Sequence, residues 1–283
     1  MQVIKRIRNR LLPDKSSALL REAIWAYIFI LPNIVLFLLF VLVPVVTSLV
    51  LSFMKWDILS PPQYAGLKNY QILFFQDRVF WKTLVNTFYY IGISVPAGIV
   101  LSLFLAVALN QKLRGIIWYR AIYFFPVITS SVAVAIIWMW LYNTDIGLIN
   151  LILAKLRLSP IPWLTSTTWA MPALIIMGIW QQLGFNMILF LASLQEVPTV
   201  LYDSAEIDGG RWWVKFRYIT LPLITPTVFF VLVINFILSF QTFDQIYIMT
   251  QGGPARATSL LVYYLYQNAF EFFKMGRGSA IAY

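Results

Sequence analysis

Charged residues along this chain fall in short clusters. Between them lie five long uncharged stretches, 23–54, 83–111, 121–144, 158–195 and 218–243. Each exceeds the roughly 20 residues that an α-helix, rising 1.5 Å per residue, needs to cross a hydrocarbon layer about 30 Å thick. Helices of soluble proteins average about 11–12 residues, so five such stretches are not ordinary core helices. A closed barrel would show short strands alternating apolar and polar positions, and no such alternation occurs. The pattern predicts spans at about Ile24–Phe53, Leu84–Leu109, Ala121–Tyr142, Thr168–Leu194 and Leu223–Phe243. Pro32 and Pro44 are expected to kink the first. Trp138, Trp140 and Tyr142 predict an aromatic belt at the outer end of the third, and Phe80 and Trp81 an interfacial pair. The segments 54–82, 143–167 and 244–277 are expected to be external loops, with Pro61, Pro62, Gly66, Pro160 and Pro162 in them. Another apolar run starts at Gly278 and stops at Tyr283. It is read as the start of a sixth span, with the native chain expected to continue. The fold class is therefore all-α, a polytopic transmembrane helix bundle of five complete spans and the start of a sixth.

Composition narrows the class further. Of 283 residues, 60% are hydrophobic and only 11% charged. Soluble domains carry about 25% charged residues, so too few are present to cover a water-facing surface. The first apolar run is too long for a signal-peptide core and lacks a small-x-small cleavage site, so no cleavable leader is expected. Cysteine and histidine are both absent. That excludes His/Cys metal sites and Ser–His or Cys–His nucleophiles. No glycine precedes a lysine, so there is no GxxxxGK phosphate loop and no ATP hydrolysis by that route.

The net charge of +10 does not indicate nucleic acid, because the basic residues sit beside spans. There they set topology and meet anionic membrane lipid. Lys5, Arg6, Arg8, Arg10, Lys15 and Arg21, against Asp14 and Glu22, assign residues 1–22 to the cytoplasm as an N-terminal segment preceding a membrane domain over 23–283. Lys112, Arg114 and Arg120 then fall inside, as does 195–222. Twelve basic residues lie inside against nine outside.

The inner stretch 196–222 is the most informative. Pro198 before it and Gly209-Gly210 after it mark a short helix, by the preference for proline at helix starts and glycine at helix stops. Tyr202 and Glu206, and Asp203 and Ile207, are i, i+4 neighbours on it. Gly209 is expected to supply a φ > 0 turn. A second short helix carries Trp212, Trp213 and Phe216 with Arg211, Lys215 and Arg217, and Leu221-Pro222 is expected to end it at the membrane entrance. Connections of this kind usually take 2–8 residues, so a longer, patterned one reads as a docking surface.

Asp203-Ser-Ala-Glu-Ile-Asp-Gly209, nine residues, then Ile219-Thr-Leu221-Pro222, resembles the EAA loop of permease subunits of bacterial binding-protein-dependent ABC importers. The family pattern is Glu-Ala-Ala, three residues, Gly, nine residues, Ile-x-Leu-Pro. Asp203 stands for the Glu and Ser204 for an Ala, which alters docking in detail and keeps the carboxylate. Gly66-Leu-Lys-Asn-Tyr70, Asn86-Thr87, and Gly252-Gly-Pro254 with Thr258 resemble marks of the carbohydrate-import branch, of sugar and glycerol-3-phosphate type. The resemblance implies a type I permease fold and a plasma (inner) membrane location with the N-terminus cytoplasmic. It implies a homologous second permease, two ATP-binding subunits that hold ATP and Mg, and an extracytoplasmic solute-binding protein. This chain would then be a non-enzymatic translocation subunit without a cofactor of its own. Asp203, Ser204, Ala205, Glu206, Asp208, Gly209, Leu221 and Pro222 would couple it to the ATPase.

Polar side chains inside spans face the bundle interior and are candidates for the solute path. They are Gln181, Gln182 and Asn186, with Trp180 adjacent, in the fourth span, and Asn235, Ser239 and Gln241 near the fifth. Amides bond hydroxyls and aromatic faces stack on sugar rings. The same amides also serve as inter-helix bonds worth roughly 1 kcal/mol each. No ionisable residue lies within any of these spans. That suits a neutral polyhydroxylated solute and disfavours the alternative, a secondary transporter or channel with its own coupling-ion site.

Overall fold

The computed structural model describes residues 15–111 and 114–283. Lys5, Arg6, Arg8, Arg10, Asp14 and Lys112 lie outside the described residues. α1 (Lys15–Phe37) runs through a π-helical turn, Leu38–Leu42, into α2 (Val43–Ser52). The widened turn stands just before Pro44, where a missing N–H would otherwise interrupt the ladder. α4 (Arg78–Ala108), α8 (Ala170–Glu196) and α11 (Leu221–Phe240) form the rest of the long apolar helices. Among the described residues four helical stretches are long and apolar enough to cross a membrane. A bent pair, α5 (Ile116–Ile128) and α6 (Ser131–Leu141), makes a fifth if counted as one span.

α4 and α8 are the central pair, and the main core gathers around them: Ile91, Val95, Leu174, Met177 and Phe190 are buried there. Glycine brings α5 onto α8. A Cβ on Gly184 would stand 2.0 Å from the Tyr123 carbonyl oxygen, so only glycine permits this approach.

Several expectations are corrected. The third span is not straight: α5 and α6 meet at 101° across Thr129 and Ser130. Tyr142 is not in an outer belt. It is buried, and its hydroxyl donates to the Ala173 carbonyl at 2.9 Å. Phe80 is likewise buried, against Leu73 and Tyr264, while Trp81 stays exposed. The fifth span does not begin after Pro222. α10 (Trp212–Lys215), a π turn Phe216–Thr220 and α11 form one continuous helix, Trp212–Phe240, with Leu221 and Pro222 inside it.

The segments expected to be external are also more than loops. The first carries a two-residue hairpin, β1 (Met54–Lys55) with β2 (Gln63–Tyr64), and α3 (Lys68–Phe75). The second carries α7 (Leu148–Lys155). Asn150 on α7 donates to the Thr144 and Ile161 carbonyls and accepts from Ile161 N and Trp163 Nε1. The third carries α12 (Asp244–Met249), packed on α6, and α13 (Leu261–Tyr266). The final run lies in α14 (Met275–Ala282), whose Gly276, Gly278, Ala280 and Ile281 are buried against α2 and the α13 region.

Candidate functional site

Two places gather the residues singled out in the sequence. One is the turn after α8, the other a cavity between the long helices.

Pro198 caps α9 (Thr199–Ile207), which ends in a Schellman closure. Gly209 adopts φ +77°, its N–H reaches the Glu206 carbonyl at 3.0 Å, and Gly210 N–H reaches the Ala205 carbonyl at 2.7 Å. A Cβ on Gly210 would lie 2.7 Å from that same carbonyl oxygen, so the second glycine is a matter of space and the first of backbone angle. Ser204 spends its hydroxyl on the Val200 carbonyl, 2.9 Å away within its own helix. Asp203 and Asp208 project outward and make no side-chain hydrogen bond among the described residues. Ile207, apolar, is 88% exposed.

α9 is fastened to the base of the fifth span at two points. Lys215 Nζ contacts Glu206 Oε2 at 2.8 Å, and Tyr202 Oη shares a hydrogen bond with Thr220 Oγ1 at 2.8 Å. The hydrogen bond and the positive charge of Lys215 hold the exposed Glu206 carboxyl below the usual carboxylate range. Thr220 is buried, so the second tie is shielded from water. Sequence reading missed Tyr202, Lys215 and Thr220 as parts of this unit. The i, i+4 spacing of Tyr202 and Glu206 was the available signal, since it puts both anchors on one face of α9.

The cavity measures about 270 Å³. Six of the seven predicted path residues line it: Gln181, Gln182, Asn186, Asn235, Ser239 and Gln241. Trp180 does not. It is 41% exposed on the outer side of α8 and packs edge-on against Trp138, with centroids 5.4 Å apart. Asn186 and Asn235 are buried and bond each other reciprocally, at 3.0 and 2.8 Å, and Asn235 also donates to the Val231 carbonyl. For this pair, bridging α8 to α11 accounts for the amides.

The cavity also holds residues the sequence reading passed over. Tyr90, Ser94, Ser131, Asp244 and Gln245 all line it. Among the described residues, Asp244 is the one charged side chain in the lining, and no Lys or Arg lines it.

A bundle of helices long and apolar enough to cross a membrane, a polar cavity between them and a short exposed helix clamped to one span together give the architecture of a membrane transport subunit. Residues 72–283 match the family model of the binding-protein-dependent transport system inner membrane component, and the chain belongs to that family. It is 38% identical over 273 residues to a probable ABC transporter permease protein, YesP, of Bacillus subtilis, covering 95% of this chain and 88% of that one. It is 35% identical over 251 residues to the lactose transport system permease protein LacF of Rhizobium radiobacter, covering 87% and 83%. It also superposes on a chain of the bacterial alginate ABC transporter in complex with alginate pentasaccharide-bound periplasmic protein, with TM-score 0.82, 25% identity, and 93% and 88% coverage. These findings set aside the secondary transporter and the channel.

Proposed function

We propose that this chain is the translocating permease of an ATP-driven importer for a neutral, polyhydroxylated solute of the carbohydrate class. It pairs with a homologous second permease. Two ATPase subunits, which hold the ATP and Mg, drive it from the cytosol, and an extracytoplasmic binding protein delivers solute. The N-terminal segment 1–22 is cytoplasmic, and 23–283 is the membrane domain with its coupling segment at about 195–222.

The observation that carries this reading is the clamped helix α9. An element that transmits motion must be stiff and must make different contacts in two states. α9 is closed by two glycines, tied to the fifth span at Tyr202 and Glu206, and presents Asp203, Asp208 and Ile207 to a partner. Glu206 thus acts as an internal anchor in this reading, while Ala205, half-buried, closes the turn onto Gly210. Leu221 and Pro222 belong to the helix that receives the motion. The cavity supports the solute class. Its amides and hydroxyls pair with hydroxyl groups, and its single charge, Asp244, repels acidic saccharides.

The test is uptake by the reconstituted importer. Gly209→Pro forbids the φ of +77°, and Asp203→Lys reverses the outward charge. Both variants are expected to insert in the membrane as wild type does, to lose copurification with the ATPase, and to lose uptake. Uptake at the wild-type rate in either variant overturns the coupling assignment.

A further inference from the structure

A second cleft, of about 340 Å³, lies at the end of α4 that begins at Arg78. It shares no lining residue with the central cavity. Its volume falls in the range of small-ligand pockets, roughly 300–1,000 Å³. Asp77, Tyr264 and Phe272 line it together with three cationic side chains, Arg256, Lys274 and Arg277. The cations come from separate stretches of chain. Arg256 follows the Gly-Gly-Pro segment, while Lys274 and Arg277 stand at the start of α14. Lys274 is held in place through its backbone, its N–H donating to the carbonyl of the buried Asn268 at 2.7 Å.

None of the three cations meets a carboxylate. Among the described residues the ion pair that forms is Lys215 with Glu206, in the turn after α8. Asp77, the acid in the lining, spends Oδ1 on Val79 N and Phe80 N, and Oδ2 on the Tyr264 hydroxyl. Arg256 donates to the neutral Gln267 Oε1 at 3.3 Å, and Lys274 Nζ stands 5.8 Å over the Phe272 ring. Three positive charges thus face one negative charge, whose oxygens are already bonded. Like charges gathered without counter-ions repel one another, and an anion entering among them relieves that repulsion.

The surroundings indicate which anion. Phe270, Phe272 and Phe273 are 54, 45 and 52% exposed, and Phe75, on the helix that lends Ile72 to the lining, is 85% exposed. These rings have no polar atom to offer water or a soluble ligand. α4 is long and apolar enough to cross a membrane, and the cleft sits at its end, the level of lipid headgroups. Aromatic rings collect at that level, and basic side chains there attract anionic lipid. A soluble anion would use the cations and leave the rings in water. A phospholipid uses both.

We propose that this cleft binds the phosphate of an anionic phospholipid headgroup, with the exposed phenylalanines against its glycerol and acyl chains. The inference is independent of the solute class and of the coupling assigned to α9.

The experiment uses the full chain assembled with its second permease and ATPases in detergent. Phosphatidylglycerol or phosphatidylcholine is added, and retained lipid is read by native mass spectrometry and by melting temperature. Wild type is expected to retain phosphatidylglycerol over phosphatidylcholine. Lys274→Gln with Arg277→Gln should weaken that retention by about fivefold for each charge removed. Lys274 is exposed, so Lys274→Gln alone keeps the fold and should show its own share, with rescue by Lys274→Arg. Lys155→Gln, at an exposed base outside the cleft, should retain lipid as wild type does. Equal retention of the two lipids by wild type, or retention unchanged in the double variant, overturns the proposal. A melting shift with inorganic phosphate alone that matches the shift with phosphatidylglycerol assigns the cleft to a soluble anion and overturns it too. Loss of binding-protein docking in Lys274→Gln with lipid retention unchanged makes the cleft a protein contact instead, and likewise overturns it.

Discussion

The two ends of the molecule, proposed above as its outer and inner ends, spend their polar groups in opposite ways. At the outer end, the side chains that made the sequence legible are bonded inward. Asn69 donates to the Ser52 and Met54 carbonyls, each at 2.8 Å, and Tyr70 to Ser52 Oγ. Asn86 donates to the Arg256 and Ser259 carbonyls, Thr87 accepts from Leu261 N, and Thr258 donates to the Gly253 carbonyl. Asp77 caps α4 through Val79 N and Phe80 N and also accepts from Tyr264. At the proposed inner end, Asp203 and Asp208 make no such bonds among the described residues, and Ile207 is exposed. A motif bonded to its own chain is there to hold the fold. A motif left unbonded on a short exposed helix stays open to another molecule, the role proposed for α9.

Three substitutions sharpen this contrast. The largest effect belongs to the outer end. A Cβ on Gly276 would lie 1.8 Å from the Met54 carbonyl oxygen, so backbone must move. Gly276→Val is expected to leave little monodisperse protein on gel filtration in detergent; a normal yield and elution position would break the claim that this end is a fixed latch. Ile207→Asp comes next. It should leave the melting temperature unchanged but weaken ATPase capture by roughly thirtyfold, the about 2 kcal/mol of an interface hot spot. A lowered melting temperature with normal capture would move Ile207 to the fold-holding side.

The smallest effect is that of Glu206→Gln. The carboxyl is depressed by Lys215, so whatever stability the pair gives is fully present above the usual carboxylate range. It is lost only as pH falls through the lowered value. The glutamate and glutamine proteins should therefore melt together from pH 8 to 5, since an exposed pair is worth little. A gap opening between pH 7 and 5 would contradict this.

Most of the bundle could be read from uncharged length alone, because lipid leaves no choice but helix for such stretches. The break in the third span could not. Pro126 sits within α5 and not at the bend, and the kink falls at Thr129 and Ser130, which look like any polar pair in an apolar run. Gln245 was missed because the charge of Asp244 marks the end of a span in sequence, while in space the chain turns back and packs α12 against α6. Ser94 was missed because a hydroxyl in a helix ordinarily satisfies itself; only the geometry shows that this one does not. The inner turn was readable because proline and glycine act through the backbone, and its ties to the fifth span were not, because they depend on which way Tyr202 and Lys215 point.

The contact at Gly184 has a mechanical consequence. Backbone meets backbone there, with no side chain to change rotamer and no gap to close. A contact this close ties α5 to α8 at this point. Since α8 runs directly into the turn that the ATPase is proposed to grip, a push on that turn would carry α5 with it, up to the elbow at Thr129 and Ser130.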